Sequence, residues 1–202
     1  MVNVLAVGAH PDDVEAGCAG TLALHQFRGD KVYFLVLTRG EVSGDPEVKE
    51  VACRESVELL GGAGLFFGGL KDTMIPDGIE TIRVIEEIMD RVNPDVVYAH
   101  TFKDVHQDHR RSAFATLSAA RNCKRVLMYE TPNTLKEFSP QVFTDIGNTF
   151  ELKKEVLRLF GNESRRFWLA AKAIEGLAVF RGFQAGVRVA EAFEVGRFVL
   201  EV

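Results

Sequence analysis

The sequence predicts an α/β fold, an open and mostly parallel sheet with helices on both faces. Three observations lead there. Short, nearly continuous apolar runs of strand length recur at Val2 to Val7, Val32 to Leu37, Leu65 to Phe67 and Asp95 to Ala99, the pattern of strands covered on both sides. Segments with helical spacing separate them, the alternation that builds a parallel sheet with crossover helices. The residues fit for chemistry follow directly after those runs, at the edge where ligands of such sheets gather.

Each element has its own signal. After the first run, Gly17-Cys18-Ala19-Gly20 keeps the backbone close to its neighbours, and Leu22, Leu24 and Phe27 suit a helix that Gly29-Asp30 ends. A second helix spans about Glu47 to Leu60 and stops at Gly61-Gly62. Ile79, Ile82, Ile85, Ile88 and Met89 recur at helical spacing before Asn93-Pro94 closes a third. A helix from His109 to Arg121 and a strand at Val126 to Tyr129 follow. The two prolines and polar residues of Thr131 to Pro140 predict a loop over the edge of the site. Helices are expected over Glu151 to Phe160 and Ser164 to Phe180, with Arg181-Gly182 and Gly186 interrupting the apolar pattern. The tail Phe198 to Val202 reads as an edge or partner-binding strand. No internal repeat or linker divides the chain, so residues 1–202 are expected to form one domain.

The stretch that carries chemistry is Ala9-His10-Pro11-Asp12-Asp13-Val14-Glu15. A hydrolytic metal site needs nitrogen and anionic oxygen ligands, an open position for water and a base beside that water. His10 and Asp13 supply two ligands and Asp12 the base. A third ligand must come from elsewhere, and Asp104-Val105-His106-Gln107-Asp108-His109 is the dense place to find a histidine. Three of only five histidines lie in these two segments, each with an adjacent acid. The plain alternative makes Asp12 and Asp13 helix N-terminal carboxylates and His10 a core residue. Right-handed crossovers would bring His10, Arg39, Asp72 and the Asp104 to His109 segment to one sheet edge.

Composition narrows the rest. A chain of 202 residues with 47% hydrophobic content builds one well-buried core. A net charge of −5 and the absence of any basic run argue against a nucleic-acid surface. Cys18, Cys53 and Cys123 are scattered in apolar sequence, as buried thiols of a reducing cytoplasm would be. No apolar run approaches the roughly 20 residues that span a bilayer, so no membrane association is expected.

The two site segments, together with Gly20-Thr21-Leu22-Ala23, Leu37-Thr38-Arg39-Gly40-Glu41 and Ala190-Glu191-Ala192-Phe193, give the chain a resemblance to the PIG-L/LmbE family of zinc-dependent N-acetylglucosaminyl deacetylases, which includes the bacillithiol- and mycothiol-pathway deacetylases. The resemblance implies a Rossmann-like fold, zinc on His10, Asp13 and His109, Asp12 as general base, and His106 facing the reacting carbonyl. It also implies assembly as a trimer or hexamer. Spacing agrees with these roles: His106 and His109 lie one helical turn apart, so one ligates while the other reaches substrate. Asp108 is expected to orient the His106 ring and raise its pKa, the alternative being a helix N-cap. Iron(II) suits the same two-histidine, one-carboxylate set.

Two departures stand out. Where relatives carry an arginine for the acyl end of the ligand, this chain has Lys49, with Arg54 nearby, and lysine lacks the planar fork. No tyrosine follows Tyr129, although some relatives bring one to the oxyanion. Asp72 occupies the place of an acid that contacts sugar hydroxyls. The expected activity is removal of acetyl from the 2-amino group of a small glucosamine-containing molecule or glycoconjugate by zinc-bound water. The rivals are hydrolysis of another amide or ester and non-catalytic carbohydrate binding. Nucleotide binding is disfavoured because Gly8-Ala9-His10-Pro11 lacks the glycine spacing that admits pyrophosphate.

Overall fold

The computed structural model describes residues 1–161 and 165–200, with the backbone alone described for residues 165–170. Its strands are β1 (Asn3–Gly8), β2 (Lys31–Thr38), β3 (Gly64–Leu70), β4 (Val96–His100), β5 (Arg125–Tyr129), β6 (Val142–Asp145) and β7 (Ala190–Phe198). Its helices are α1 (Asp13–Phe27), α2 (Pro46–Leu59), α3 (Ile79–Val92), α4 (Gln107–Ala119), α5 (Phe150–Arg158) and α6 (Arg165–Ala185). The strands form one sheet in the order β3-β2-β1-β4-β5-β7-β6. Neighbours from β3 through β5 are parallel, and β7 runs antiparallel to both β5 and β6.

Alternate residues of the central strands enter two cores. Val4, Ala6, Phe34, Tyr98 and Tyr129 pack on one face against Val14 and Leu22 of α1, Val57 of α2 and Val156 of α5. Leu5, Val7, Leu35, Leu37 and Val97 pack on the other against Ile85, Ile88 and Val92 of α3 and Ala115 and Ala119 of α4. Burial on both faces is why these strands read as unbroken apolar runs.

Local chemistry sets the helix limits. The Asp45 side chain accepts from the Glu47 amide (2.9 Å) with Pro46 in the first turn, so α2 starts there. Asn93 closes α3 in the left-handed region, at φ 47°. His25, near the end of α1, is anchored. Its Nδ1 meets Asp30 (2.8 Å) and its Nε2 meets the Tyr98 hydroxyl (3.0 Å).

The C-terminal third departs from expectation. The sequence reading places no strand at Val142–Asp145 and an edge strand at 198–202. The C-terminal strand instead begins at Ala190 and lies inside the sheet, between β5 and β6. Glu191 and Glu194 are buried there, each paired with a lysine, and buried acids conceal the apolar pattern of an interior strand. The last helix also runs through Arg181-Gly182 to Ala185. A Cβ at Gly182 would lie 2.7 Å from the Arg188 carbonyl, so the glycine marks a close approach within the helix and not its end. Ser164, the Trp168 side chain, Glu201 and Val202 lie outside the described residues.

Candidate metal centre

The chain runs β1 to β2 to β3 in one direction across the sheet and places β4 and β5 on the other side of β1. The carboxyl ends of β1 and β4 therefore flank the switch point, where adjacent loops diverge and leave a crevice. His10 to Asp13 follow β1, and Asp104 to His109 follow β4.

The first loop is held in a demanding conformation. The His10 amide donates to Asp13 Oδ2 (2.7 Å), and Asp12 takes a left-handed φ of 91° before α1 begins. A non-glycine residue there stores on the order of 1–3 kcal/mol of strain, which persists where the surroundings impose it. The Asp12 carboxylate makes no capping bond to α1. Asp12 thus stands at the start of α1 with its carboxylate unspent on a capping bond, at the mouth of the crevice.

Asp13 lies between two imidazoles. Its Oδ2 is 3.3 Å from His10 Nδ1, and its Oδ1 is 3.3 Å from His109 Nε2. Each ring presents its other nitrogen to buried acid: His10 Nε2 lies 3.2 Å from both Asp72 and Asp108, and His109 Nδ1 lies 3.1 Å from Asp104. His106 stands at the same crevice, its ring centroid 4.8 Å from that of His10 and 4.7 Å from that of His109. His106 caps α4, its Nδ1 accepting from the Asp108 amide (3.2 Å).

The electrostatics are those of a cation site. Burial opposes charge on His10, but the hydrogen bond and charge of Asp13 prevail and raise its pKa to about 9. Burial likewise opposes charge on His109, and Asp13 with Asp104 raises that ring to about 10. Burial disfavours an ionised Asp13 as well, yet the charge of His109 and the hydrogen bonds of His10 and His100 hold it well below the carboxylate range. The acids thus favour positive charge on both rings. Two imidazoles and one carboxylate, with carboxylates behind both rings, are also the ligand types and the outer support of hydrolytic zinc sites. The residues fit a divalent cation.

Asp12 behaves differently. The residue is exposed to solvent, beside other acids of the same segment. Desolvation first, and then the charges of Asp13 and Glu15, raise its pKa to about 8. His106 is also shifted, downward, by burial and by the nearby His109 and His10. This departs from the sequence expectation. The Asp108 carboxylate, expected to orient His106, instead meets His10 and the Ile75 amide (3.3 Å), and its favourable effect on His106 is outweighed.

The remaining expected residues divide by position. Lys49 donates to the Gly40 carbonyl (2.7 Å) and Ser43 (2.5 Å), in a turn whose glycine touches Pro11, so its ammonium stands beside the Asp12 loop. Arg54 turns away to Glu50. Arg39 also binds Glu50 (3.0 Å), leaving its buried Nε without a partner. Asp72 is 3% exposed, with one oxygen at His10 and the other accepting from the Val42 amide (2.9 Å).

Two contributors had only faint sequence signals. Asp104 supports His109, accepts from the His106 amide (2.8 Å) and meets Thr131 (3.2 Å). An acid two residues before His106 is the trace it leaves. His100, at the end of β4, stacks on His109 at 4.0 Å and contacts Asp13 Oδ2 (3.0 Å). Burial lowers its pKa to about 4, so the ring is neutral. His100→Ala is expected to weaken zinc binding roughly 10- to 100-fold, as loss of an outer partner does. Chelator competition measures this, and unchanged affinity would remove His100 from the site.

Residues 5–120, more than half of the chain, match the family described as PIG-L, GlcNAc-PI de-N-acetylase. The chain belongs to the PIG-L family. Both ends of the matched region fall on the site-bearing part of the sheet, from β1 to the end of α4. Among relatives of this PIG-L chain, the uncharacterized deacetylase YaiS of Escherichia coli K12 is 33% identical over 155 residues, covering 73% of this chain and 84% of YaiS. Diacetylchitobiose deacetylase of Thermococcus kodakarensis is 25% identical over 226 residues, covering 98% of this chain and 83% of that enzyme. The crystal structure of the conserved protein TT1542 from Thermus thermophilus superposes with a TM-score of 0.90 at 26% identity, covering 100% of this chain and 98% of that one. As a PIG-L protein the chain is a deacetylase, an enzyme that acts on an amide bond.

Proposed function

We propose that this PIG-L deacetylase removes the acetyl group from the 2-acetamido group of a small amino-sugar molecule or glycoconjugate. In this reading His10 Nδ1, Asp13 and His109 Nε2 hold Zn2+, with Fe2+ an acceptable substitute. The observation that carries the proposal is the carboxylate of Asp13 spanning two acid-backed imidazoles beside the uncapped carboxylate of Asp12.

A divalent cation there would supply Lewis acidity and lower the pKa of water from about 16 to about 7. Asp12 takes a proton from the water as its oxygen attacks the acetyl carbon. Beside a divalent cation the ionised form of Asp12 is favoured, offsetting the upward push of burial and of Asp13 and Glu15, so the carboxylate is free to accept a proton. Asp12 then returns the proton to nitrogen as the C–N bond breaks, and acetate and the free amine leave. His106 assists as a neutral ring. Its Nδ1 accepts the Asp108 amide, which leaves Nε2–H as the donor to the developing oxyanion. That role differs from the raised pKa expected of His106 from sequence, and it follows from the cap at α4.

Lys49, in the first turn of α2, and Arg39, on the loop after β2, are the donors for the acyl and sugar oxygens. Arg54, held by Glu50, and Asp72, engaged with His10 and Val42, support them from behind. A cytoplasmic location and a homo-oligomeric assembly complete the reading. Among the described residues no helix is long and apolar enough to cross a membrane, and Val179, Phe180 and Phe183 of α6 expose apolar surface suited to a subunit contact.

The test is acetate release from a panel of N-acetylglucosamine derivatives and other acylated amines and esters by zinc-loaded protein. Acetate and free amine are expected from the sugars. Turnover confined to the non-sugar compounds would replace the substrate class.

A further inference from the structure

Helix α1 carries Asp13 at its first position, yet it is not one continuous helix. Cys18 departs from helical geometry with φ −146° and ψ 15°. The break has a steric origin. A Cβ at Gly17 would lie 2.2 Å from the Tyr129 ring, and Tyr129 is itself tied to the Val7 carbonyl (2.8 Å). On the far side, a Cβ at Gly20 would lie 2.8 Å from Ile146. Strand β5 thus presses on the helix just where its ladder fails.

In a regular helix the Gly20 amide would donate to the Ala16 carbonyl. Here a buried ion pair from two distant elements stands at that place. Glu191 of β7 accepts from the Gly20 amide (2.9 Å) with one oxygen and from the Thr21 amide (2.7 Å) with the other. Lys153 of α5 donates to the Ala16 carbonyl (2.7 Å) and to Glu191 (2.6 Å). The Glu191 and Lys153 side chains are each only 3% exposed. The acid caps the amino end of the second half, and the ammonium caps the carboxyl end of the first, each matching the sign of the local dipole. Side chains inserted in the ladder are a recognised cause of kinks. A buried charge pair is retained poorly for stability alone, since an apolar pair of similar volume often serves as well.

We propose that Glu191 and Lys153 are positioning residues for the metal centre: they splice α1 across its break and so fix the direction of its first turn, which carries Asp13 and follows the strained Asp12. The first half of α1 is a single turn, too short to hold a direction by itself. Its orientation depends on what grips its carboxyl end, and Lys153 grips Ala16, three residues from Asp13. The inference rests on the proposed reading only for the identity of the ion; the splice itself is independent of it.

The test uses Glu191→Gln, and the pair Lys153→Met with Glu191→Gln, which leaves no lone buried charge if the single variant folds poorly. Amide hydrogen exchange and zinc affinity by chelator competition are measured on the same samples, with melting temperature as a control. Exchange at Gly20 and Thr21 is expected to quicken at least tenfold in both variants. The pair is expected to bind zinc about tenfold more weakly at a melting temperature within a few degrees of the parent, and to lower kcat more than it changes KM. Unchanged exchange would show that the splice is not there. Faster exchange with zinc affinity equal to the parent's would show a splice that does not position the site, and would overturn the proposal. Should the parent bind no zinc, the reading of the metal centre fails, while the exchange result still decides the splice.

Discussion

Asp13→Ala is expected to abolish measurable zinc binding at micromolar metal, and hydrolysis with it. The carboxylate contacts both proposed ligand imidazoles and His100, so its removal takes one proposed ligand and also leaves three rings without their common acceptor. The loss should exceed the roughly 10- to 100-fold that follows removal of an outer partner. A second signature separates this from misfolding. With His10 and His109 raised to about 9 and 10 without metal, both are protonated at neutral pH, and zinc must displace those protons. Parent protein should therefore release protons on binding zinc at pH 7, and its affinity should rise as pH increases toward 9. In metal-free protein the sign for stability is opposite. Two groups with raised pKa values stabilise the fold fully below about pH 6.5, the unfolded value for His, and that contribution disappears as pH passes through 9 to 10. Asp13→Ala should flatten both dependences. Calorimetry in buffers of different ionisation heat counts the protons, and a variant that keeps zinc affinity and proton release would remove Asp13 from the ligand set.

Asp12→Asn is expected to reduce kcat by roughly 10²- to 10⁴-fold, the usual contribution of a positioned general base. Zinc affinity should stay within a few-fold of the parent. The substitution suits the site because asparagine tolerates left-handed backbone better than most residues, and Asp12 sits at φ 91°. Its carboxylate makes no capping bond that the change would break. Loss of catalysis with metal retained thus isolates the proton transfer. Retained activity would pass the role of base to another group, while loss of both properties would show that Asp12 shapes the metal loop instead.

The central sheet was legible because its strands are covered on both faces. Val4 to Val7 are fully buried, so their sequence is apolar throughout, and glycine or Asn-Pro signals close the intervening helices. The site loops were legible because the parallel topology delivers every post-strand segment to one edge. What stayed hidden depends on contacts across long stretches of chain. Asp108 lies one residue from Gln107 and two from His106, so sequence assigns it to His106; the fold gives its carboxylate to His10, 98 residues away. Strand β7 was displaced in the reading because Glu191 and Glu194 occupy interior positions, and only Lys153 and Lys103 make them tolerable there. His100 is buried as a core residue is, and what stayed hidden is that its partner Asp13 comes from another strand's loop.

The most direct measurement is a zinc-loaded crystal structure with the ion located by anomalous scattering at the metal edge. One ion within about 2.0–2.2 Å of His10 Nδ1, His109 Nε2 and an Asp13 oxygen is predicted, those being ordinary zinc ligand distances. Three triads bring their donor atoms within 4.8 Å of one another, His10–His106–His109, Asp13–His100–His109 and His10–Asp72–Asp108, and an ion seated in the last of them would contradict the proposed ligand set and the roles drawn from it.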